Sequence, residues 1–321
     1  RLWNNFPHTT LYASEEYVGL NPGEFGNSEI GHMTIGAGRK IVQHGPRITE
    51  FLKNTSENET FKEILENAKD KNIHIIGLYS DGKVHSNLEH FLKVYELLKE
   101  SNAKKIHFHL ITDGRDTKVN AGINFISELE EKIKDDQDTD ITSLCGRYYA
   151  MDRDTNYDRT KIYYDLLTKG IGIKASSATE GLLKQYKKNQ TDEFLYPIII
   201  NPENTIKNDD IIIWMNYRSD RSKQILRTFT NPSFEEFKTY QFSNLKVYSF
   251  FPIDKDIPTI PILEDINVNN PLGIYLSSLG LSQARIAETE KYAHVTYFFD
   301  GMYNGKIAKC DKILIPSPKV E

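Results

Sequence analysis

The sequence predicts an α/β fold built on a mainly parallel sheet. From Lys71 onward, a short apolar run typical of a buried strand is followed four times by a segment typical of a helix or of a helix start. Strands that alternate with helices of about 10 to 15 residues are typical of parallel sheets covered on both faces. The length of 321 residues predicts about two domains.

The first strand is NIHIIGLYS (72–80), and apolar residues at helical spacing follow it at Leu88, Phe91, Leu92, Tyr95 and Leu98. KKIHFHLIT is the second strand, followed by a helix over 119–134. DITSLCGRYYAMDRD is the third strand with its exit loop, followed by a helix over 158–167. DDIIIWMNYRSDR repeats the scheme, and the charge run at 128–140 is interpreted as solvated.

The remaining segment predicts a linker followed by a small group of elements. Four prolines in a short span, Pro252, Pro258, Pro261 and Pro271, indicate a linker or hinge. PLGIYLSSLGL then predicts a helix ended by glycine. SQARIAETEKYAHVTYFFDG predicts a strand, a charged loop and a second strand.

The composition excludes several classes of protein. A net charge of -5 argues against a nucleic-acid partner. No apolar run approaches the roughly 20 residues of a membrane span, and the start of the chain lacks a signal-peptide pattern. Two distant cysteines, Cys145 and Cys310, indicate a reducing compartment without a disulfide framework, so we expect a cytoplasmic protein.

The run GNSEIGHMTIGAGR, residues 26–39, crowds glycines around Ser28. It predicts either a tight turn before a helix capped by Asn27 or Ser28, or a loop that presents Ser28 as a nucleophile. A serine hydroxyl needs a base or a metal to become a good nucleophile. No base in the sequence is an obvious candidate to activate Ser28, which favours activation by a metal ion.

Charged residues follow the carboxyl end of each predicted strand. They are His85 after the first, Arg115 and Asp116 after the second, Arg147 and Arg153 after the third, and Arg218 and Arg221 after the fourth. Ligands of open α/β sheets bind at that edge, so we expect these side chains to converge. Arginine forks match carboxylate and phosphate, which predicts a small ligand with several negative charges.

Each residue also has a plainer interpretation. A single arginine is more often in a surface ion pair, and we assign Arg159 and Arg227 to that class. DGRD (113–116) is by itself a strand-to-helix turn; functionally, Asp116 is a candidate for proton transfer. His85 is either a loop histidine or a group that binds phosphate or carries protons.

Two further groups of charged or titratable residues have open or structural interpretations. Lys291 is either part of an exposed charge cluster or a contact to a transferred phosphate. The histidines within the predicted strands, His74, His107 and His109, are interpreted as structural.

Taken together, the motifs resemble the cofactor-independent (2,3-bisphosphoglycerate-independent) phosphoglycerate mutase family. The matching runs are GNSEIGHMTIGAGR, LYSDGKVHS, DGRD, GRYYAMDRD, NYRSDR, RIAETEKYAHVTYFFDG and ILIPSPKV, in the family's order. The resemblance implies an alkaline-phosphatase-like α/β domain, here incomplete, interrupted by an inserted α/β transferase domain. The implied boundaries are 1–42, 43–266 and 267–321, with motion between the two domains.

The resemblance also implies an activity, a site and cofactors. The family interconverts 3-phosphoglycerate and 2-phosphoglycerate in glycolysis through a phosphoserine, with two divalent metal ions, usually manganese. Ser28 would be the nucleophile and a metal ligand. The implied substrate contacts are His85, Arg115, Asp116, Arg147, Arg153, Arg218, Arg221 and Lys291. We expect a monomer that acts on this small molecule.

Some features depart from the family. Aspartates and histidines that serve as the remaining metal ligands have no counterpart here, and the chain starts at Arg1 and ends at ILIPSPKVE. We therefore expect a piece of a longer protein that is inactive or nearly so by itself. Two other functions stay open: a noncatalytic phosphate- or carboxylate-binding module, and a pentose-phosphate mutase of the same superfamily. The arginines of GRYYAMDRD and NYRSDR favour a substrate with a carboxylate.

Overall fold

The structure, a computed structural model, describes residues 1–24 and 26–317. It divides into two compact units, one formed by residues 48–265 and the other by residues 1–47 together with the segment from residue 266 onward. The larger unit is a mainly parallel α/β domain, which confirms the fold class expected from the sequence.

Helices and strands alternate along much of the chain. The helices are α1 Leu2–Asn5, α2 Ser28–Ala37, α3 His44–Phe51, α4 Glu59–Ala68, α5 Leu88–Glu100, α6 Gly122–Ile133, α7 Arg147–Ala150, α8 Tyr157–Lys169, α9 Ala178–Tyr186, α10 Lys223–Thr230, α11 Leu272–Ser278 and α12 Thr289–Ala293. The strands are β1 Asn72–Leu78, β2 Lys105–Thr112, β3 Thr139–Gly146, β4 Ile173–Lys174, β5 Ile198–Ile199, β6 Ile211–Trp214, β7 Lys246–Ser249, β8 Ile260–Pro261, β9 Gln283–Glu288 and β10 Cys310–Ile315. Short 3₁₀ turns cover Glu15–Val18 and Pro202–Asn204, and His294–Phe298 is a π-helical segment.

The larger unit is organised around an eight-stranded sheet with the order β4-β5-β3-β2-β1-β6-β7-β8. All neighbouring strands are parallel except β3 and β5. At the centre, Ile75 lies between Phe108 on one side and Ile213 on the other. Because β1, β2, β3 and β6 run in the same direction, the loops that follow them leave from one edge of the sheet.

Helices cover both faces of this sheet. Residues of α4, α5, α6 and α9 pack on one face around Phe61, Phe91 and Phe108. Residues of α7, α8 and α10 pack on the other face around Tyr164 and Trp214. Burial on both faces explains why the central strands are nearly continuous apolar runs.

A chain of buried polar side chains crosses three neighbouring strands and ends at Asp210, directly before β6. His74 Nε2 lies 3.0 Å from Asp210 Oδ2, His74 Nδ1 lies 2.9 Å from His109 Nε2, and His109 Nδ1 lies 2.8 Å from Ser143 Oγ. A carboxylate only accepts hydrogen bonds, so the neutral His74 donates from Nε2. His109 therefore donates to His74 and accepts from the Ser143 hydroxyl. The structural interpretation of these histidines agrees with this arrangement.

The smaller unit has its own core and a two-stranded parallel sheet of β9 and β10. Met33, Ala37, Ile41 and Val268 form its buried cluster. Helix α2 packs closely on the turn after the π-helical segment, since a Cβ on Gly36 would lie 1.7 Å from the Phe299 carbonyl oxygen. The predicted helix before Gly280 is present as α11.

The prediction of a charged loop and a second strand after β9 is wrong. The segment forms α12 and the π-helical segment instead. Its aromatic and β-branched residues favour a strand locally. Contacts with α2, such as the 5.5 Å approach of the His32 and His294 rings, accompany the helical form. The strand predicted in ILIPSPKVE is β10, and residues 318–321 of that run lie outside the described residues.

The proline-rich segment is not simply a linker, because β7 and β8 within it belong to the sheet. Pro261 lies in β8, the edge strand, where its missing N–H is tolerated. The polar stretch after residue 169 contains β4, α9 and β5, which the sequence pattern did not reveal.

The charge run at 128–140 is only partly solvated, because two of its carboxylates bind other elements. Asp136 accepts hydrogen bonds from Tyr95 and Lys99, and Glu130 caps the start of α9. Within the part of the chain that the structure describes, no helix is both long and apolar enough to cross a lipid bilayer.

Candidate functional site

The loops that follow β1, β2, β3 and β6 carry seven of the nine predicted site residues. The structure brings five of them into two groups within the larger unit. One group is Arg147 with Asp113 and Asp116, and the other is His85, Arg153 and Arg218 around Asp220. The other two predicted residues, Ser28 and Lys291, belong to the smaller unit.

Arg147 is a buried cation held by two carboxylates. Its Nη1 lies 2.6 Å from Asp113 Oδ1 and also donates to Asp116 Oδ2. The Arg147 and Asp113 side chains are both 3% exposed. Burial alone would lower the pKa of Arg147, but the carboxylates of Asp116 and Asp113 outweigh it and raise that pKa. Arg147 therefore provides a fixed positive charge at the sheet edge.

Asp113 organises the DGRD turn. It accepts hydrogen bonds from Ser80 Oγ at 2.6 Å and from the backbone N–H groups of Arg115 and Asp116. Burial opposes ionisation of Asp113, but the hydrogen bonds from Ser80, from the Asp116 N–H and from Arg147 lower its pKa. The carboxylate is thus charged and fixes the position of Asp116.

The turn itself requires glycine at position 114. Gly114 has φ of +66°, and a Cβ there would lie 2.7 Å from the backbone nitrogen of Glu193. Left-handed backbone and close approach both favour glycine at this point. The loop can therefore turn tightly at Gly114, directly before Arg115 and Asp116.

Asp220 lies at the centre of the second group. Its Oδ2 accepts a hydrogen bond from Arg153 Nη1 at 2.7 Å, and its Oδ1 lies 3.5 Å from Arg218 Nε. His85 Nδ1 lies 3.8 Å from the same Oδ1. Burial opposes ionisation of Asp220, and the neighbouring guanidinium groups of Arg218 and Arg153 lower its pKa.

His85 is a neutral, buried side chain in this arrangement. It is 4% exposed. Burial lowers its pKa most strongly, Asp220 opposes this effect, and Arg147, Arg218 and Arg221 lower the pKa further. The local field therefore disfavours imidazolium while the arginines are not covered by another anion.

Hydrogen bonds join the loops after β3 and β6. Arg221 Nη1 donates to the Met151 carbonyl oxygen at 3.0 Å. Gln224 donates to Asp152 Oδ1 at 3.1 Å and accepts from the Thr155 N–H at 3.0 Å. These bonds fix the bases of the loops that carry Arg153 and Arg218. Burial lowers the pKa of Arg221, and Arg153 and Arg147 lower it further.

Arg115 lies apart from both groups. Its side chain is 56% exposed and lies 3.5 Å from Glu193. Its contact matches an ordinary surface ion pair. Lys83 takes a φ of +54° in the loop before His85.

In the smaller unit, Ser28 is the first residue of α2. Asn27 caps that helix, since its side chain accepts the Ile30 N–H at 3.0 Å. Lys291 Nζ lies 3.2 Å from Ser28 Oγ and donates to it. Lys291 lies on α12, not in a loop. Both residues were candidates from the sequence, but no sequence pattern predicted that they form a hydrogen bond.

The described residues do not fit a divalent metal site. Among residues 1–24 and 26–317, no group of three or more His, Cys, Asp or Glu side chains is placed to hold a metal ion. The polar side chain recorded next to Ser28 Oγ is a lysine, which is a cation. We therefore derive no chemical step through a metal.

Two organising residues, Asp220 and Asp113, were not among the predicted site residues. Asp220 stands between the two arginines of RSDR, and Asp113 opens DGRD. For Asp220, the available signal was an acidic residue flanked by basic ones after a strand. Ser80, Asp152 and Gln224 carried no comparable signal.

Comparisons with known proteins identify the family of this chain. A family model described as "BPG-independent PGAM N-terminus" matches residues 49–254. Proteins named 2,3-bisphosphoglycerate-independent phosphoglycerate mutase from Clostridium perfringens (strain SM101) and Bacteroides fragilis (strain YCH46) are 41% and 42% identical, over 100% and 99% of this chain. The chain spans 64% of the length of each of these relatives.

A solved structure agrees with the sequence relatives. It is titled "Crystal structures of Leishmania mexicana phosphoglycerate mutase at low cobalt concentration" and is 28% identical to this chain, with a TM-score of 0.80. The match covers 97% of this chain and 60% of that one. With its family domain over residues 49–254, this chain belongs to the BPG-independent phosphoglycerate mutase family.

Proposed function

We propose that the protein interconverts 3-phosphoglycerate and 2-phosphoglycerate through a phosphoserine on Ser28. The arrangement of arginines around Asp220 and Arg147 at one sheet edge carries this proposal, because fixed guanidinium groups suit a ligand with a phosphate and a carboxylate. The names of the relatives support the same reaction.

The residues take the following proposed roles. Arg147, Arg153, Arg218 and Arg221 bind the negative groups of phosphoglycerate, with His85 and Arg115 as further contacts. Asp116 is the candidate to move a proton at the ligand hydroxyl. Ser28 Oγ accepts the phosphoryl group, and Lys291 provides a positive charge beside that oxygen. Charge stabilisation is the main requirement of phosphoryl transfer.

The domain roles, the metal ions and the oligomeric state are also proposed. We propose that residues 1–42 and 267–321 act as the phosphatase-like part and residues 43–266 as the transferase part. Two divalent ions, with manganese as the expected metal, would need ligands in addition to Ser28. The monomeric state stays a prediction.

Ligand binding by the chain is the first experiment. Isothermal titration with 3-phosphoglycerate is expected to show one site, and Arg218→Ala is expected to weaken binding about 10- to 100-fold, the loss of about 1.5–3 kcal/mol typical of a charged hydrogen bond. Arg227→Ala is the matched control on α10 and should change affinity less than twofold. Equal losses in both variants, or no binding by the unchanged chain, would contradict the proposal.

Two further measurements separate the alternatives. Ribose 5-phosphate that binds as tightly as 3-phosphoglycerate would favour a pentose-phosphate mutase. Manganese-dependent conversion of 3-phosphoglycerate without added bisphosphoglycerate, lost in Ser28→Ala, would support the mutase and contradict the expectation of an inactive chain. Binding with no phosphoryl transfer in any longer form of the protein would support a noncatalytic module.

A further inference from the structure

Two buried polar atoms face each other without a proper hydrogen bond. His85 Nδ1 and Asp220 Oδ1 are 3.8 Å apart, and neither atom has a hydrogen-bond partner among the described residues. Hydrogen bonds of this type are shorter, at about 2.7–3.2 Å. Buried polar atoms without partners are uncommon, so this gap calls for a physical explanation.

The Asp220 carboxylate is already engaged by the arginines. Arg153 donates to its Oδ2 at 2.7 Å, and Arg218 Nε lies 3.5 Å from its Oδ1. These are two of the guanidinium groups assigned to the ligand under the proposed function. Asp220 is therefore the resident anion of this arginine group, and an incoming anion competes with it.

The charged groups that act on His85 come from two loops. They are Asp220, Arg218 and Arg221 after β6, and Arg147 after β3. Asp113 and Asp116, after β2, offset the charge of Arg147 through direct contacts. With Asp220 neutralised by Arg153 and Arg218, little negative charge remains to stabilise an imidazolium.

We propose that binding of a dianion of the phosphate or sulfate type to Arg153 and Arg218 is coupled to uptake of one proton by His85, with Asp220 as its counter-ion. This inference rests on the anion binding in the proposed function. The ligand takes over the two guanidinium groups and frees the Asp220 carboxylate. A proton from solvent then binds Nδ1, and the new N–H donates to Oδ1. The exchange gives both unpaired atoms a partner and adds a positive charge only when the ligand is bound.

Sulfate is the appropriate probe because it keeps its charge between pH 6 and pH 8, whereas a phosphate monoester titrates near pH 6. Isothermal titration of the full chain in Tris and in imidazole at pH 7, at equal chloride, gives the number of protons taken up per sulfate. We expect uptake of up to one proton. Sulfate affinity is then expected to fall by up to tenfold per pH unit between pH 6 and pH 8.

Three variants test the assignment. His85→Asn is expected to bind sulfate without proton uptake and with an affinity independent of pH. Asp220→Asn is expected to bind sulfate more tightly at pH 8, since the competing anion is gone, and to take up fewer protons. Asp256→Asn, an exposed position in the same unit with the same change in charge, should leave both quantities unchanged.

The outcomes distinguish this inference from the proposed function. Sulfate binding by the unchanged chain with no proton uptake and no pH dependence would overturn the inference and leave anion binding intact. Absence of both sulfate and 3-phosphoglycerate binding would overturn both. The proton count on the unchanged chain needs no variant, so poor folding of His85→Asn would not prevent the test.

Discussion

The Arg147 guanidinium lies 2.6 Å from the Asp113 carboxylate, with both side chains almost completely removed from solvent. A buried ion pair is not by itself a strong source of stability, but removal of one partner leaves the other charge without compensation. This ion pair connects the loop after β2 to the loop after β3.

Asp113→Ala should lower the free energy of unfolding by about 1–3 kcal/mol, because it removes one of the two carboxylates that hold the buried Arg147 cation and also the acceptor of the Ser80 hydroxyl. Urea denaturation followed by tryptophan fluorescence measures this change. Asp138→Ala is the control, since that carboxylate pairs with Lys105 at an exposed position and should cost about 0–1 kcal/mol. A loss below 1 kcal/mol for Asp113→Ala would contradict the importance of the pair.

Stability of the larger unit should fall as the pH drops below about 6.5. Burial lowers the pKa of His74 and His109, and burial with a contribution from Lys83 lowers the pKa of His90 to about 4. The unfolded chain binds protons at these histidines below about pH 6.5, while the folded chain does not. Each histidine therefore contributes a slope of up to about 1.4 kcal/mol per pH unit, in the direction of lower stability at acidic pH.

Urea denaturation between pH 8 and pH 5 tests this slope, with the buried Trp214 as the optical probe. His90→Gln should reduce the slope by about one histidine's share. His8→Gln, at an exposed position of the smaller unit, should not change it. A free energy of unfolding that is constant between pH 7 and pH 5 would show that these histidines bind protons equally in both states.

Gly114→Ala should weaken 3-phosphoglycerate binding and lower stability by more than about 1 kcal/mol. The added methyl group meets the Glu193 backbone nitrogen at 2.7 Å in addition to the strain of a positive φ. Gly38→Ala has a similar φ of +63° with nothing within 4 Å, so it should show the strain alone and leave binding unchanged. Calorimetry and titration measure both effects, and equal behaviour of the two variants would exclude the steric contribution.

Asn27→Ala should destabilise the first turn of α2 by about 0.5–2 kcal/mol, because it removes the acceptor of the Ile30 N–H. Asn27→Asp keeps that acceptor and should restore most of the stability. Hydrogen exchange at the Ile30 amide provides the measurement, with faster exchange expected only in the alanine variant. Unchanged exchange in Asn27→Ala would mean that other contacts hold Ser28 in position.

The central strands could be predicted from the sequence because burial on both faces leaves a clear apolar run. The same pattern located the loops that carry His85, Arg147 and Arg218, since these residues directly follow such runs. Strands β4, β5 and β8 have two residues each, which is too short for any periodicity. The π-helical segment was missed because its local residue preferences favour a strand.

The pairing of charges could not be predicted from composition or spacing. Arg147 was identified as an arginine at a strand end, but its burial between Asp113 and Asp116 depends on how two loops meet. Asp220 is similar, because its position among Arg153, Arg218 and His85 is set by three separate loops. The functional roles of these residues stay predictions that the binding experiments address.

The hydrogen-bonded chain from Ser143 through His109 and His74 to Asp210 has a consequence for folding. Successive side chains of a strand point to opposite faces, so a slip of β2 by one residue would move its histidines into the opposite layer of helices. That layer is lined by Phe61, Phe91 and other mainly apolar side chains. Alignment errors between β1, β2 and β3 would therefore break this chain of hydrogen bonds, so we expect the histidines to add specificity for the observed strand alignment.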